Sequence, residues 1–472
     1  MGTNKECYEK IKELLCLDEI RQSDLERLDY EYYNNIFKDK KIAIYGIGNT
    51  TRELIKRIPS LRVSQFIDSH ERKADVEIEH CKVDCIVPED ISDDYYIIIA
   101  SVAYEEIANK LLDLGYNEGI NFISYHVLLP TPSEMINRLL NSEKITDWEC
   151  EYYEKSCRLQ RDGSVGFCMN TPWLSPSNGN AFLESLSEIK SSIRTKLIEI
   201  SIMKGTYCFC NTNRCAPIRN SGFEFEEHHS YSTAIAAFDK TCNLYCESCR
   251  NKTYIDNSLK VKFLARYFCE EMIPIAEIVN LAGDGEALFS PNYLKILEEI
   301  DNEKKLLVLT NGTKAEKTIV DMLSNKTCGK IGYSISVDSS DKETYEMLRR
   351  GAKFDELVEN LTYLSKQVHE GKIKFIAFNY VISKKNINLI VEFVRFAEKM
   401  GALAVNFTML GNWGTFSEEE YKMIRVTDDK SEPIAELSEI MDNLKKNYEG
   451  SLRIFFREEY LFRSLLNQEL CK

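Results

Sequence analysis

Short apolar runs bounded by polar residues, and separated by stretches of helical periodicity, recur along most of this chain. Runs of that kind read as strands buried on both faces of a parallel sheet. Thr233-Ala-Ile-Ala-Ala-Phe-Asp239 opens one series. It continues with Ile278-Val-Asn-Leu281, Leu306-Leu-Val-Leu-Thr-Asn-Gly312 and Ile331-Gly-Tyr-Ser-Ile-Ser-Val-Asp338. Phe375-Ile-Ala-Phe-Asn-Tyr-Val-Ile382 and Ala404-Val-Asn-Phe-Thr-Met-Leu410 close it. Strands alternating with helical stretches over 233–410 predict a βα-repeated parallel sheet.

A shorter series precedes it. Lys41-Ile-Ala-Ile-Tyr45, Val63-Ser-Gln-Phe-Ile-Asp68 and Tyr95-Tyr-Ile-Ile-Ile-Ala-Ser101 read as strands, and Ile107–Leu114 as a helix. Residues 1–40 have apolar positions at helical spacing and are expected to pack on this domain, with Tyr30 to Tyr33 as core or interface aromatics. Residues 415–472 read as mostly helical and acidic, with Pro433 at a helix start. They are expected to cover the open side of the larger sheet, and Phe455, Phe456 and Tyr460 to be core.

Length and charge narrow the classes. At 472 residues the chain is long enough for about three domains. Its 44% hydrophobic and 29% charged residues are those of a globular protein. A net charge of −15 argues against a broad nucleic-acid surface. No run approaches the roughly 18 apolar residues of a membrane span, and the N-terminus lacks an apolar signal core, so a cytoplasmic location is expected. In that compartment the 16 cysteines are reduced and available to metals.

Three of them stand close together. Phe238-Asp-Lys-Thr-Cys-Asn-Leu-Tyr-Cys-Glu-Ser-Cys-Arg250 spaces Cys242, Cys246 and Cys249 as C-x3-C-x2-C. Three thiolates on one loop can hold three irons of a [4Fe–4S] cluster and leave the fourth open. A zinc site would pair C-x2-C with a second Cys or His pair, and none follows nearby. The loop leaves the C-terminal end of a strand, where parallel α/β folds place their sites.

This spacing resembles the signature of the radical S-adenosylmethionine (SAM) enzymes. The resemblance implies a partial (βα)6 barrel over 233–410. It also implies a cluster whose open iron chelates SAM, and a 5′-deoxyadenosyl radical that takes a hydrogen atom from substrate. Gly283-Asp-Gly-Glu286 is similar to the family's Gly-Gly-Glu turn, with Asp284 standing where the first glycine usually is. By the same resemblance Gly283, Asp284, Gly285 and Glu286 would meet the methionyl end of SAM, and Ser336, Asp338 and Arg350 its ribose or carboxylate. Turn-capping or an ion pair is the plain alternative for the last three. Ser248 departs from the family, where an aromatic residue often precedes the third cysteine; an effect on packing near the adenine is expected.

A second cysteine group lies upstream. Cys150-x12-Gly163-x4-Cys168 resembles the opening of SPASM or Twitch auxiliary-cluster domains, and Cys210 with Cys215 would complete four ligands. Cys157 and Cys208 compete for those places. One auxiliary [4Fe–4S] cluster is expected, with a structural zinc as the alternative. These domains usually follow the barrel, whereas this block precedes it. Cys7, Cys16, Cys81, Cys85, Cys269, Cys328 and Cys471 are expected to be inert.

Tyr45-Gly-Ile-Gly-Asn-Thr-Thr51 is half of a dinucleotide fingerprint, with Thr51 at the third glycine's place. The pattern resembles small Rossmann-like domains attached to sugar-modifying enzymes and methyltransferases. Such a domain either binds a nucleotide or nucleotide-sugar, or has kept the fold for docking.

The expected architecture is therefore α/β. A helical lead with a Rossmann-like parallel-sheet domain occupies 1–130, and a SPASM/Twitch-like cysteine-rich domain 131–225. The partial radical SAM barrel follows at 226–415, and a helical extension at 416–472. The implied activity is SAM cleavage and hydrogen abstraction, giving oxidation or epimerisation of a carbohydrate-type, nucleotide-sugar-like substrate. The alternatives are a maturase of a ribosomally made peptide and an inactive Fe–S sensor or scaffold. A flavodoxin- or ferredoxin-type protein would supply electrons, and neither nucleic acid nor membrane is an expected partner.

Overall fold

The computed structural model describes residues 4–472 apart from 70–72, 149, 151–152, 170–173, 214, 216–217, 219–231, 284 and 457–458, with backbone only at 73–75 and 459–461. It divides into two compact units. The first is Met1–Glu226 with Ser258–Tyr267, the second Glu227–Asn257 with Phe268–Lys472.

The first unit holds a six-stranded sheet of β1 (Lys41–Tyr45), β2 (Val63–Ile67), β3 (Lys73–Ile78), β4 (Cys81–Ile86), β5 (Tyr95–Ile99) and β6 (Phe122–Ser124). Its order is β3-β4-β2-β1-β5-β6. The central strand β1 pairs in parallel with β2 and β5, as a Rossmann-like sheet does. The hairpin β3–β4 is an addition at one edge. Successive residues of β1 feed opposite cores: Ile42 and Ile44 join Phe66 and Ile98, while Ala43 and Tyr45 join Ile67 and Ile97. Cys81 and Cys85 are strand residues of β4.

The N-terminal helices depart from expectation. Cys7 and Ile11 of the helix Lys5–Leu15 pack with Met135, Leu139, Leu197 and Phe209, in the core of the cysteine-rich part. The helix Gln22–Ile36 bridges, with Leu25 in that core and Tyr33 and Ile36 in the sheet's core. Helical spacing gave the elements but not the surface they cover. Tyr33 is buried and Tyr30 exposed.

The cysteine-rich part carries a small antiparallel ladder of β7 (Ser156–Gln160), β8 (Ser164–Gly166) and β9 (Gly179–Asn180). Gly163 makes the turn between β7 and β8 with φ +79°, its N–H bonded to Gln160 O. A Cβ there would strike the Phe182 ring and the Asn180 side chain, so only glycine fits.

The second unit holds seven parallel strands: β10 (Thr233–Ala237), β11 (Ile278–Leu281), β12 (Lys305–Thr310), β13 (Ile331–Ser336), β14 (Phe375–Ile382), β15 (Ala404–Met409) and β16 (Arg453–Phe456). Spatial order equals chain order throughout, so every crossover steps the same way around the sheet. This is the βα-repeated sheet expected for 233–410, and β10 and β16 do not pair with each other among the described residues.

Residues 415–472 are mostly helical as expected, with the short strand β16 as an addition. The helix Glu459–Cys471 follows it, and its Phe462, Leu465, Leu466 and Leu470 pack on Ile278, Leu307, Phe375, Ala377 and Ala404. The opposite face, through Phe378, Tyr380 and Phe407, meets Phe393 and Phe396 of the helix Ile390–Lys399. Phe455 is half-buried against Phe462, and the Tyr460 side chain lies outside the described residues. No described helix is long and apolar enough to cross a membrane.

Candidate functional site

The loop of Cys242, Cys246 and Cys249 leaves the C-terminal end of β10, and its root is locked before the first cysteine. Asp239 is fully buried. One of its oxygens accepts from Thr241 N–H (2.8 Å), the other from Ser290 Oγ (2.5 Å) and Asn292 Nδ2 (2.9 Å). Tyr293 Oη accepts the amides of Phe238 and Asp239 at 3.2 and 3.1 Å. Ser290 also caps the helix Pro291–Glu299, so one polar knot joins the loop to the next βα unit. Sequence reasoning passed over these four residues; Asp239 next to the motif and the Ser290-Pro291 helix start were the available signals. The far end is closed by paired backbone bonds between Cys242 and Tyr254.

The thiols are surrounded by N–H donors. Leu244 N–H lies 3.4 Å from Cys242 Sγ, and Arg250 Nε 3.3 Å from Cys249 Sγ. Asn311 Nδ2 reaches Cys242 Sγ at 3.9 Å and Arg349 Nη1 reaches Cys246 Sγ at 4.0 Å. Such donors suit anionic sulfur and tune an iron–sulfur centre. Burial pushes the Cys242 thiol up to about 11 and raises Cys246, so a metal bound there would have to displace their protons. The donor set fits a cluster held by three thiolates. Among the described residues no three Cys, His, Asp or Glu side chains already stand in metal-holding geometry.

The glycine turn packs directly against this loop. A Cβ on Gly285 would lie 2.5 Å from both Asp239 O and Thr241 O, and one on Gly283 would lie 2.7 Å from Tyr293 Oη. Glu286 N–H bonds to Thr241 O at 2.7 Å. Its buried carboxylate accepts from Leu288 N–H (3.1 Å), Thr310 Oγ1 (2.5 Å) and Asn311 N–H (2.6 Å). Burial raises its pKa while these donors pull it back. Glu286 thus ties the turn after β11 to the Thr-Asn-Gly end of β12, and Asn311 passes the link to Asn243 at 3.0 Å. Asp284 lies outside the described residues.

Ser336 ends β13 and is half-buried. Asp338, two residues on, has φ +64° and is nearly enclosed. Its Oδ1 accepts from Val381 N–H at 2.7 Å, and its Oδ2 pairs with Arg349 Nε at 2.6 Å. Arg350 lies instead over the Tyr245 ring, its Cζ 5.8 Å from the centroid, and its carbonyl accepts Tyr245 N–H. The arginine brought to Asp338 and Cys246 is therefore Arg349, one position before the residue singled out from the sequence. Ser248, Asp338, Val381 and Leu410 line a crevice of about 20 Å³. On its other side Ser248 borders an open cavity of about 740 Å³.

In the first unit, Cys150, Cys168, Cys215 and Cys208 all lie within electrostatic reach of Cys210. Burial raises the Cys210 thiol first, and the neighbouring sulfurs raise it further. Tyr207, at φ +47°, shapes this turn; its Oη donates to Trp148 O at 2.6 Å and its ring stacks on Trp148. Cys208 Sγ is engaged by Ser201 Oγ at 3.4 Å. Cys157 sits on β7, raised by burial, with a lysine rather than a sulfur as its charged neighbour. The half fingerprint in the same unit is closed by Thr51, whose Oγ1 donates to Gly46 O (2.7 Å) and Ala100 O (3.3 Å).

No protein-family model and no curated protein matches the chain. Among solved structures it is similar to Streptococcus suis SuiB bound to S-adenosylmethionine, at 16% identity and a TM-score of 0.34, over 48% of this chain and 50% of that one. Its structural neighbours include a radical SAM enzyme. That one is the radical S-adenosylmethionine methyltransferase TsrM from Kitasatospora setae, with cobalamin and a [4Fe–4S] cluster bound. There the identity is 13% and the TM-score 0.29, over 36% of this chain and 34% of TsrM. Native anSMEcpe with bound AdoMet matches at 14% identity and a TM-score of 0.33, over 50% and 66% of the two chains. The match spans about half the length of SuiB.

Proposed function

We propose that this chain is a radical SAM enzyme. The observation that carries the reading is the loop at the C-terminal edge of a sequentially wound parallel sheet. It presents Cys242, Cys246 and Cys249 together, each beside an N–H donor or cation. A [4Fe–4S] cluster with SAM on its open iron would supply a 5′-deoxyadenosyl radical that takes a hydrogen atom from substrate.

The chain's own residues would hold and shield. Asp239, Ser290, Asn292 and Tyr293 fix the loop root, and Glu286 fixes the glycine turn against β12. Gly283, Asp284, Gly285 and Glu286 would border the methionyl end of SAM, and Ser336, Asp338 and Arg350 its ribose or carboxylate. Arg349 orients Asp338. Cys150, Cys168, Cys210 and Cys215 would hold an auxiliary [4Fe–4S] cluster.

The substrate we favour is carbohydrate-type, a nucleotide-sugar above all, undergoing oxidation or epimerisation, with a flavodoxin- or ferredoxin-type reductant. The Rossmann-like sheet with its Gly46-Ile-Gly48 turn motivates that choice. The gathered cysteines of the first unit motivate a second reading, a maturase of a ribosomally made peptide. The test is anaerobic reconstitution, iron counting, and assay of 5′-deoxyadenosine from SAM under a low-potential reductant. A fully loaded protein that forms none overturns the reading.

A further inference from the structure

We infer that the cavity beside Cys249 is a subsite for a nucleoside diphosphate moiety of the substrate. The inference rests on the proposed function in taking the neighbouring loop as the reaction centre and a nucleotide-sugar as the substrate. The cavity, about 740 Å³, has a size typical of small-molecule sites. Its walls carry Lys240, Arg250 and Lys252 together with the rings of Tyr254 and Trp413. Among the described residues three cations line this bowl, on a chain whose net charge is −15.

The two lysines are exposed, and neither forms an ion pair among the described residues. The Arg250 guanidinium is held in place by Cys249 Sγ and Lys240 O, and adds positive field to the cavity wall. Trp413 is 81% exposed, yet its backbone is built to stay in place. Asn412 Oδ1 accepts from Gly414 N–H (3.0 Å) and Phe416 N–H (3.3 Å), and its Nδ2 donates to Phe416 O at 3.0 Å. Thr415 Oγ1 then clasps the turn to Ser248 O at 3.3 Å, on the cysteine loop itself. On the other side, the Cys242–Tyr254 bridge fixes the segment that carries Arg250 and Lys252.

An exposed indole on a turn held by four hydrogen bonds is poised for a flat partner. Stacking on aromatic rings is how proteins commonly hold bases, and ammonium groups answer phosphate charge. A diphosphate joined to a planar base uses both halves of the cavity. An acidic peptide would use the lysines and leave the indole face idle.

The test uses the reconstituted full chain saturated with SAM, so that adenine recognition is already occupied. Uridine, thymidine, cytidine, guanosine and adenosine diphosphates are each titrated against the parent nucleoside and inorganic pyrophosphate. Calorimetry and tryptophan fluorescence are the readouts. At least one diphosphate should bind about tenfold or more tightly than its nucleoside and than pyrophosphate. Lys240→Ala and Lys252→Ala should each weaken it about tenfold, and Trp413→Ala about fivefold or more with loss of quenching. Iron content and circular dichroism verify each variant, with Lys252→Gln and Trp413→Phe as milder replacements.

Absence of diphosphate binding overturns the inference. So does binding indifferent to these substitutions, or binding matched by pyrophosphate. SAM cleavage is assayed in parallel: cleavage without diphosphate binding sinks this inference alone, and binding without cleavage sinks the enzymatic reading alone.

Discussion

Arg349 Nε stands 2.6 Å from Asp338 Oδ2, with both side chains nearly enclosed at 12% and 10% exposure. Asp338 holds a left-handed backbone at φ +64° while its other oxygen takes the Val381 amide, so the pair staples the ends of β13 and β14 together. Removing one partner leaves the other charge uncompensated. Arg349→Met should destabilise the second unit by about 3 kcal/mol. Asp338→Asn combined with Arg349→Met should cost clearly less than the two singles summed. Urea unfolding midpoints measure this, and simple additivity of the two losses would refute the coupling.

Two glycines should respond in opposite ways. A methyl at Gly285 runs into Asp239 O and Thr241 O at 2.5 Å, which are backbone atoms with nowhere to retreat. Gly285→Ala should cost about 2–3 kcal/mol and lower the iron retained by the cysteine loop. Gly48, the second glycine of the half fingerprint, has φ −91° and nothing within 4 Å of its would-be Cβ. Gly48→Ala should stay within about 0.5 kcal/mol of the parent. Denaturation midpoints and iron content compare them directly.

The strands over 233–410 were legible because most of their residues are buried and so read as largely apolar runs, as in Phe375–Ile382, where Asn379 is the one polar residue. The hairpin β3–β4 was not. Val76 and Ile78, then Cys81, Val83 and Cys85, alternate with polar residues, and the turn between them has no Gly, Asn or Pro to announce it. Glu79 takes the positive φ instead. β16 is half-buried, so its short Arg453-Ile-Phe-Phe456 resembles a helix flank.

At the site, the three-cysteine spacing was readable because all three ligand candidates lie on one loop. That Arg349 is the arginine paired with Asp338 was not. The chain leaves the helix Lys342–Leu348 at Arg349, and that local backbone decides which guanidinium turns inward. Asp239, Ser290, Asn292 and Tyr293 meet across some fifty residues of chain, which no local pattern encodes.

Glu184 should make the first unit's stability depend on pH. Burial raises its carboxyl to about 7, against the pull of Arg194 and the Asn180 amide and with a push from Glu188. In the unfolded chain it titrates near its ordinary value of 4.5. Below that value both states are protonated and Glu184 exerts no penalty. As pH rises from there to about 7 the unfolded state ionises first, so stability falls, and above 7 the full penalty of roughly 3 kcal/mol or somewhat more is present. Glu184→Gln should therefore be more stable than the parent at pH 8 and about equal at pH 4.5. Thermal unfolding of both proteins across that range checks it; a variant that gains nothing at pH 8 refutes it.

The cysteines of the first unit should separate by iron content. Cys210 is surrounded by the sulfurs of Cys150, Cys168, Cys215 and Cys208, whereas Cys157 on β7 is buried without a sulfur among its charged neighbours. Cys157→Ser should keep the parent's iron and sulfide, with a stability loss of about 1–2 kcal/mol from placing a hydroxyl in an apolar site. Cys210→Ser should lose ~4 irons per chain while the loop of Cys242, Cys246 and Cys249 keeps its own. Cys208→Ser should resemble the Cys157 variant, because Ser201 already holds that thiol. Iron and sulfide assays on anaerobically reconstituted protein decide among the three. Loss of iron in Cys157→Ser, or its retention in Cys210→Ser, would assign the auxiliary centre to a different set of thiols.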